Sequence, residues 1–272
     1  MNIFTPTEII QNYSASGKIK SEYPLSKVLI LAIISGVLVA FGAMVSSMAT
    51  HSIENASAAR IISGLLFPFG LGMILLLGAE LFTGNCLILI SVLNRETTIK
   101  KMLRNWLLVY TGNGAGAILL AAGCFYSGQL DYSNSALALY TITIAAKKCA
   151  LSFPQGLLLG IFCNILVCVA VLCAFSAKDT VGRIAGAYFP VAFFVICGFE
   201  HSIANIFYIP AGLFAMMSRE YTQLAAASGI NTDVLTWGNF ILRNLIPVTL
   251  GNIIGGVMVA LAMWKVNLKK YN

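Results

Sequence analysis

Polar and apolar residues in this chain do not alternate with the period of an amphipathic helix; the apolar ones run in long uncharged blocks. The blocks cover residues 28–50, 61–79, 81–94, 105–130, 149–177, 184–199, 201–218 and 244–264. A helix needs about 20 residues to cross the hydrocarbon of a bilayer, and most of the blocks reach that scale. Two neighbouring pairs are each split by a single glutamate, Glu80 and Glu200, into composite segments over 61–94 and 184–218. Each composite is too long for one straight crossing and reads as one broken crossing. The pattern therefore predicts an all-α membrane protein with six transmembrane helices, two of them broken.

The breaks belong to a repeat. "GAELFTGN" at 78–85 and "GFEHSIAN" at 198–205 share the frame Gly-x-Glu-x-x-x-x-Asn at an offset of 120, and helix breaks are expected within both stretches. "RNWLLVYTGNGAG" from Arg104 matches "RNLIPVTLGNIIG" from Arg243 at an offset of 139. Each half then holds three spans, and an odd number inserts the second copy upside down relative to the first. Such inverted repeats place a site near the midplane, where discontinuous helices meet. The chain reads as a single transmembrane domain over 1–272, with an interfacial helix in 1–24, a first repeat over 25–127 and a second over 148–266. The interfacial helix is suggested by cap-like Thr5 and Thr7, the terminal Gly17, and Ile9, Ile10 and Tyr13 at helical spacing. No short apolar run with a small-residue cleavage site precedes Lys18, so no cleaved signal peptide is expected.

Composition agrees: 58% of residues are hydrophobic and 10% charged, against about 25% charged in soluble domains. The net charge of +7 reports orientation. With both termini cytoplasmic, only Arg60, Lys147, Lys148, Arg219 and Arg243 face outward, while twelve basic residues, Lys20 and Lys270 among them, face the cytoplasm. Nucleic acid is thereby excluded as the reason for the charge. Seven cysteines, an odd number mostly within spans, argue against a disulfide framework. Cys163, Cys168 and Cys173 are five apart, about 140° around a helix, and share no ligand face. Cys197 with His201 offers two ligands, a weak metal signal. No nucleophile with a base and no phosphate loop appears, so an enzyme, a metal and a cofactor are not expected.

Backbone that leaves the helix at membrane depth must be satisfied by protein or a water-lined cavity. Gly78 and Gly198 permit the breaks, and Glu80, Asn85, Glu200 and Asn205 are expected to take the freed groups. Asn113 and Asn252 are expected to bridge helices. His201 has no counterpart in the first copy, where Leu81 stands in its place. A feature used once points to the conducted species, although a buried histidine can also simply donate to a backbone carbonyl. Thr83 can donate to an anion or bond back to its own backbone. Lys148 opens the fourth span, where snorkelling is the ordinary reading, and Asn164 is either helix glue or a pore donor. Phe67, Leu71, Leu81 and Phe194 flank the breaks, where packing alone accounts for them.

"GAELFTGN", "FCNILVC" and "GFEHSIAN" followed by "IFYIPAG" resemble the signature segments of the formate/nitrite transporter family, through all six spans. The resemblance implies an aquaporin-like fold and a homopentamer with one pore per protomer in the bilayer of the bacterial cytoplasmic (inner) membrane. It also implies passage of small monovalent anions of weak acids. By position it makes His201 the central histidine, Thr83 the loop threonine, Lys148 the vestibule lysine and Asn164 a pore asparagine, with two constrictions around Phe67, Leu71, Leu81 and Phe194. "KCALSF" lacks the histidines that often follow the vestibule lysine in formate-type members, and the chain looks most like the family's hydrosulfide-channel type. Hydrosulfide is therefore the expected substrate, with formate and nitrite alongside. The alternative is an aquaporin-like pore for small neutral solutes, against which stands the lack of paired Asn-Pro-Ala motifs. A proton taken from water or through His201 would let the acid cross the constrictions neutral.

Overall fold

The computed structural model describes residues 3–269; Lys270, counted on the cytoplasmic side above, lies outside them. The order of helices is α1 (Pro6–Ser21), α2 (Leu25–Thr50), α3 (Ala56–Leu66), α4 (Phe69–Leu77), α5 (Phe82–Asn85), α6 (Leu89–Leu93), α7 (Ile99–Tyr126), α8 (Ala136–Cys149), α9 (Phe153–Ser176), α10 (Thr180–Cys197), α11 (Ser202–Ala215), α12 (Arg219–Ala227), α13 (Trp237–Asn239) and α14 (Ile246–Asn267). No strand occurs among the described residues; Ile3 and Ala177 form one isolated bridge. Six helical segments are long and apolar enough to cross a membrane, and the shorter apolar helices 82–93 and 202–215 complete the two broken crossings.

Capping residues start the helices where the apolar blocks predict them. The Thr5 hydroxyl accepts from the Glu8 N–H while the Glu8 carboxylate accepts from the Thr5 N–H, a reciprocal capping box. That backbone bond, with one from the Thr5 hydroxyl, holds Glu8 below the usual carboxylate range. Ser152 and Gln155 form a second box at the start of α9. Here one boundary differs from the sequence reading. The fourth span starts at Phe153, after residues 150–152 leave the helix, and Lys148 lies in the last turn of α8, before the span rather than at its head. The breaks are also shorter than the matched motifs, because helix resumes at Phe82 and at Ser202.

The two halves pack alike: α2 runs along α7 as α9 runs along α14. Within each break one backbone bond crosses to the neighbouring span, Glu80 N–H to Leu31 O and Glu200 N–H to Leu159 O, both 3.3 Å. A π-turn over Phe240–Leu245 leads into α14 and has no equivalent in α7. Helix α1 is docked onto the bundle. Its buried Tyr13 hydroxyl donates to Gly84 O at 2.9 Å, and the Lys101 ammonium meets the Glu22 carboxylate at 2.6 Å.

Candidate functional site

Gly78 and Gly198 sit in the left-handed region at φ 65° and 72°, the conformation that ends a helix with least strain when no Cβ is present. The groups freed by each break find the same partner, an asparagine from the facing span. Asn113 Oδ1 accepts from Phe82 N–H at 2.9 Å while its Nδ2 donates to Glu80 O at 2.8 Å and Ala32 O at 2.7 Å. Asn252 Oδ1 accepts from Ser202 N–H at 2.9 Å while its Nδ2 donates to Glu200 O at 3.0 Å and Gly160 O at 2.8 Å. An amide is suited to this because it offers acceptor and donors together. The side chains of Glu80, Asn85, Glu200 and Asn205, expected to take the freed groups, instead bind one another and a lysine. A carboxylate has no proton to give a freed carbonyl.

Those side chains form two matching networks. Lys20 Nζ lies 2.9 Å from Glu80, and Asn85 Nδ2 donates to Glu80 at 2.7 Å and to Asn105 at 2.9 Å. Lys148 Nζ lies 2.8 Å from Glu200, and Asn205 Nδ2 donates to Glu200 at 2.6 Å and to Asn244 at 2.7 Å. Each network closes on its lysine's own carbonyl, through Asn105 in one and Asn244 in the other, at 3.1 Å in both. Lys20 is thus the counterpart of Lys148. The two stand at opposite ends of the bundle, because α1 leads into the start of α2 whereas α8 meets its far end through Tyr140 and Thr50. Sequence reasoning counted Lys20 only as a cytoplasmic charge, since it precedes its glutamate by 60 residues and Lys148 does so by 52, so no constant offset links them.

A vestibule of about 550 Å³ opens at the Lys148 end, lined also by Arg60, Tyr140, Lys147, Glu200 and Tyr208. Phe67, Phe194 and His201 line both this vestibule and a second cavity of about 20 Å³, so they form the wall between the two. Phe67 and Phe194 meet edge to face, with ring centroids 5.7 Å apart. The small cavity continues with Leu71 and Leu81 and with Val39, Val167 and Val191, which sequence reasoning missed because nothing separates a pore-facing valine from a core one. Its volume is about that of one water.

His201 is 4% exposed and caps α11: its Nδ1 accepts from Ala204 N–H at 3.1 Å. A backbone N–H can only donate, so Nδ1 carries a lone pair, and the ring proton sits on Nε2 and donates to the Thr83 hydroxyl at 2.9 Å. The Thr83 hydroxyl proton is left to point elsewhere. Phe194 stacks on the imidazole, 5.9 Å between centroids and 14° from parallel. Asn164 is fully buried and donates to Thr83 O at 3.3 Å and Asn252 O at 2.6 Å, tying the first break to the α9–α14 pair. The eight residues expected at constrictions and along the path are therefore placed in three ways. Phe67, Leu71, Leu81, Phe194 and His201 line cavities at the break; Thr83 and Asn164 stand behind them; Lys148 stands in the vestibule.

The profile of the formate/nitrite transporter family matches residues 7–265. A probable formate transporter of Methanothermobacter thermautotrophicus is 33% identical over 98% of both chains. Formate channel FocA of Escherichia coli K12 is 35% identical over 92% of this chain and 89% of its own. Among solved structures, a pentameric formate channel with formate bound aligns with a TM-score of 0.79 at 34% identity, covering 90% of this chain and 98% of that one. An FNT family ion channel aligns at 0.81 over 96% and 99% of the two chains; at 22% identity it speaks to the fold alone. Three of these four carry formate in their names, and none carries hydrosulfide.

Proposed function

The chain belongs to the formate/nitrite transporter family, transporters and not enzymes, and on that premise we propose that it conducts small monovalent anions of weak acids. Formate, named in its relatives, stands beside hydrosulfide and nitrite as substrate. In this reading it is a homopentamer of the bacterial cytoplasmic membrane, with both termini and α1 inside and the Lys148 vestibule outside. The observation that carries the reading is a charged vestibule that narrows, through Phe67 and Phe194, to a small, mostly apolar chamber beside the His201–Thr83 pair.

A charge at the bilayer centre costs at least about 2.5–3.5 kcal/mol on insertion scales, so a bare anion crosses such a chamber slowly. A weak acid avoids the cost. As the vestibule narrows and the dielectric falls, its proton affinity rises, it takes a proton and it passes the phenylalanines as a neutral molecule. His201 is a poor source of that proton, because a neutral imidazole could give one up only by becoming imidazolate. Water in the vestibule relays the proton in from the bulk, and His201, held by Thr83 behind it, is the polar ring that the passing acid meets. Compact acids with few hydrogen bonds to lose suit the chamber best.

The test is flux into proteoliposomes of hydrosulfide, formate, nitrite and chloride against external pH. Flux of the three weak-acid anions should rise as pH falls, and chloride, the anion of a strong acid, should lag far behind. Chloride flux equal to hydrosulfide flux at every pH would overturn the proposal in favour of an open anion channel.

A further inference from the structure

We propose that Arg60 is the anion-receiving residue of the vestibule and that its fork prefers planar two-oxygen acids such as formate and nitrite; this rests on the weak-acid channel reading above. Three cations, Arg60, Lys147 and Lys148, face two carboxylates, Glu54 and Glu200, around the cavity. Lys148, the expected anion collector, is already committed. Its ammonium is 2.8 Å from Glu200 and lies 5.3 Å from the centre of the Tyr208 ring. Arg60 is exposed and forms no ion pair among the described residues. Its hydrogen bonding comes to a single long contact, Nη1 to Val195 O at 3.5 Å, beyond the usual range for such a bond. Most of the five guanidinium N–H groups are therefore free in a cavity that leads to His201.

The guanidinium lies across the second break. A Cβ at Gly198 would stand 3.0 Å from Nη1 and 3.2 Å from Cζ, so the glycine gives the arginine its place as well as the turn. At Gly78, the matching position of the first break, a Cβ would meet nothing within 4 Å. The breaks fold alike without an arginine in one of them, so Arg60 is not part of what the repeat needs to form. Like His201 it occurs once. A guanidinium binds a carboxylate through two parallel N–H bonds, a geometry a lysine cannot copy and a one-centre anion such as hydrosulfide cannot use.

The full chain in proteoliposomes tests this through initial uptake against concentration, at one fixed pH, for wild type, Arg60→Lys and Arg60→Gln. Arg60→Lys should raise half-saturation for formate several-fold and leave that for hydrosulfide unchanged; Arg60→Gln should raise both. Maximal rates should be unchanged. If both variants keep the wild-type half-saturation for formate, the assignment of Arg60 fails and the channel reading stands. It fails equally if they lose maximal rate for all anions alike at constant half-saturation, the mark of a merely structural cap on α10. Wild-type vesicles with uptake that does not saturate would overturn the assignment of Arg60 alone, and wild-type vesicles with no uptake of any of the weak-acid anions would overturn both proposals.

Discussion

Replacing Asn252 with leucine removes a side chain of similar size and all three of its hydrogen bonds. Gly160 lies inside α9, where its carbonyl keeps a helical partner. The Ser202 N–H and the Glu200 carbonyl have no such reserve, because both flank the break and are buried. An unpaired buried donor or acceptor costs about 1–3 kcal/mol, so the two together cost about 2–6 kcal/mol. Against a total stability of order 5–15 kcal/mol for a typical folded protein, that is a large share. Thermal unfolding of the detergent-solubilised assembly is the assay, and Asn252→Leu should melt far below wild type. Asn252→Asp is the informative control. It keeps an acceptor for Ser202 N–H but sets an ionised oxygen against two carbonyls, so it too should be strongly destabilised. If Asn252→Leu melts with wild type, the freed groups have other partners and the asparagine does not hold the break.

The Lys148 and His201 pairs support two further predictions. His201→Phe keeps the stack on Phe194 and loses a helix cap worth about 1 kcal/mol, so the protein should assemble, yet weak-acid flux should vanish; wild-type flux would mark the residue as structural. Lys148→Ala leaves Glu200 buried without its cation, a loss of order 3–5 kcal/mol for a buried pair, and should lower the melting temperature and weaken uptake at low substrate concentration. Adding Glu200→Gln removes the unpaired carboxylate and should restore both the melting temperature and that uptake, and failure to recover stability would show that the ion pair is not what the lysine contributes.

Much of the fold was legible because the bilayer constrains sequence strongly: six apolar crossings, two glutamates inside them and two repeated motifs carry the architecture. The site was legible where a residue type is out of place in hydrocarbon, as His201 and Glu200 are. It was not legible where the partner lies outside the spans or outside the motif. Lys20 belongs to a terminal helix, and only the bonds from Glu80, Asn85 and Asn105 reveal it as the match of Lys148. Glu80 was misassigned for a related reason, while Asn113 bridges helices as expected and takes the freed groups as well: composition says that freed backbone must be satisfied, but only geometry says which polar side chain faces it. Arg60 looked like one of five outward charges until the turn at Gly198 placed it over the vestibule.

The contrast between a cavity of about 550 Å³ and one of about 20 Å³ also sets how traffic is organised. The larger space holds a queue; the smaller holds a single occupant, about the size of one water. If the chain conducts weak acids as proposed, two of them could not share it, so different substrates would take turns, each one's presence slowing the other's passage, and the rate would level off as the queue fills. On the weak-acid reading, a mixture of small acids would find one pore divided among them in proportion to how often each waits at the phenylalanines, so faster passage of one means slower passage of the rest.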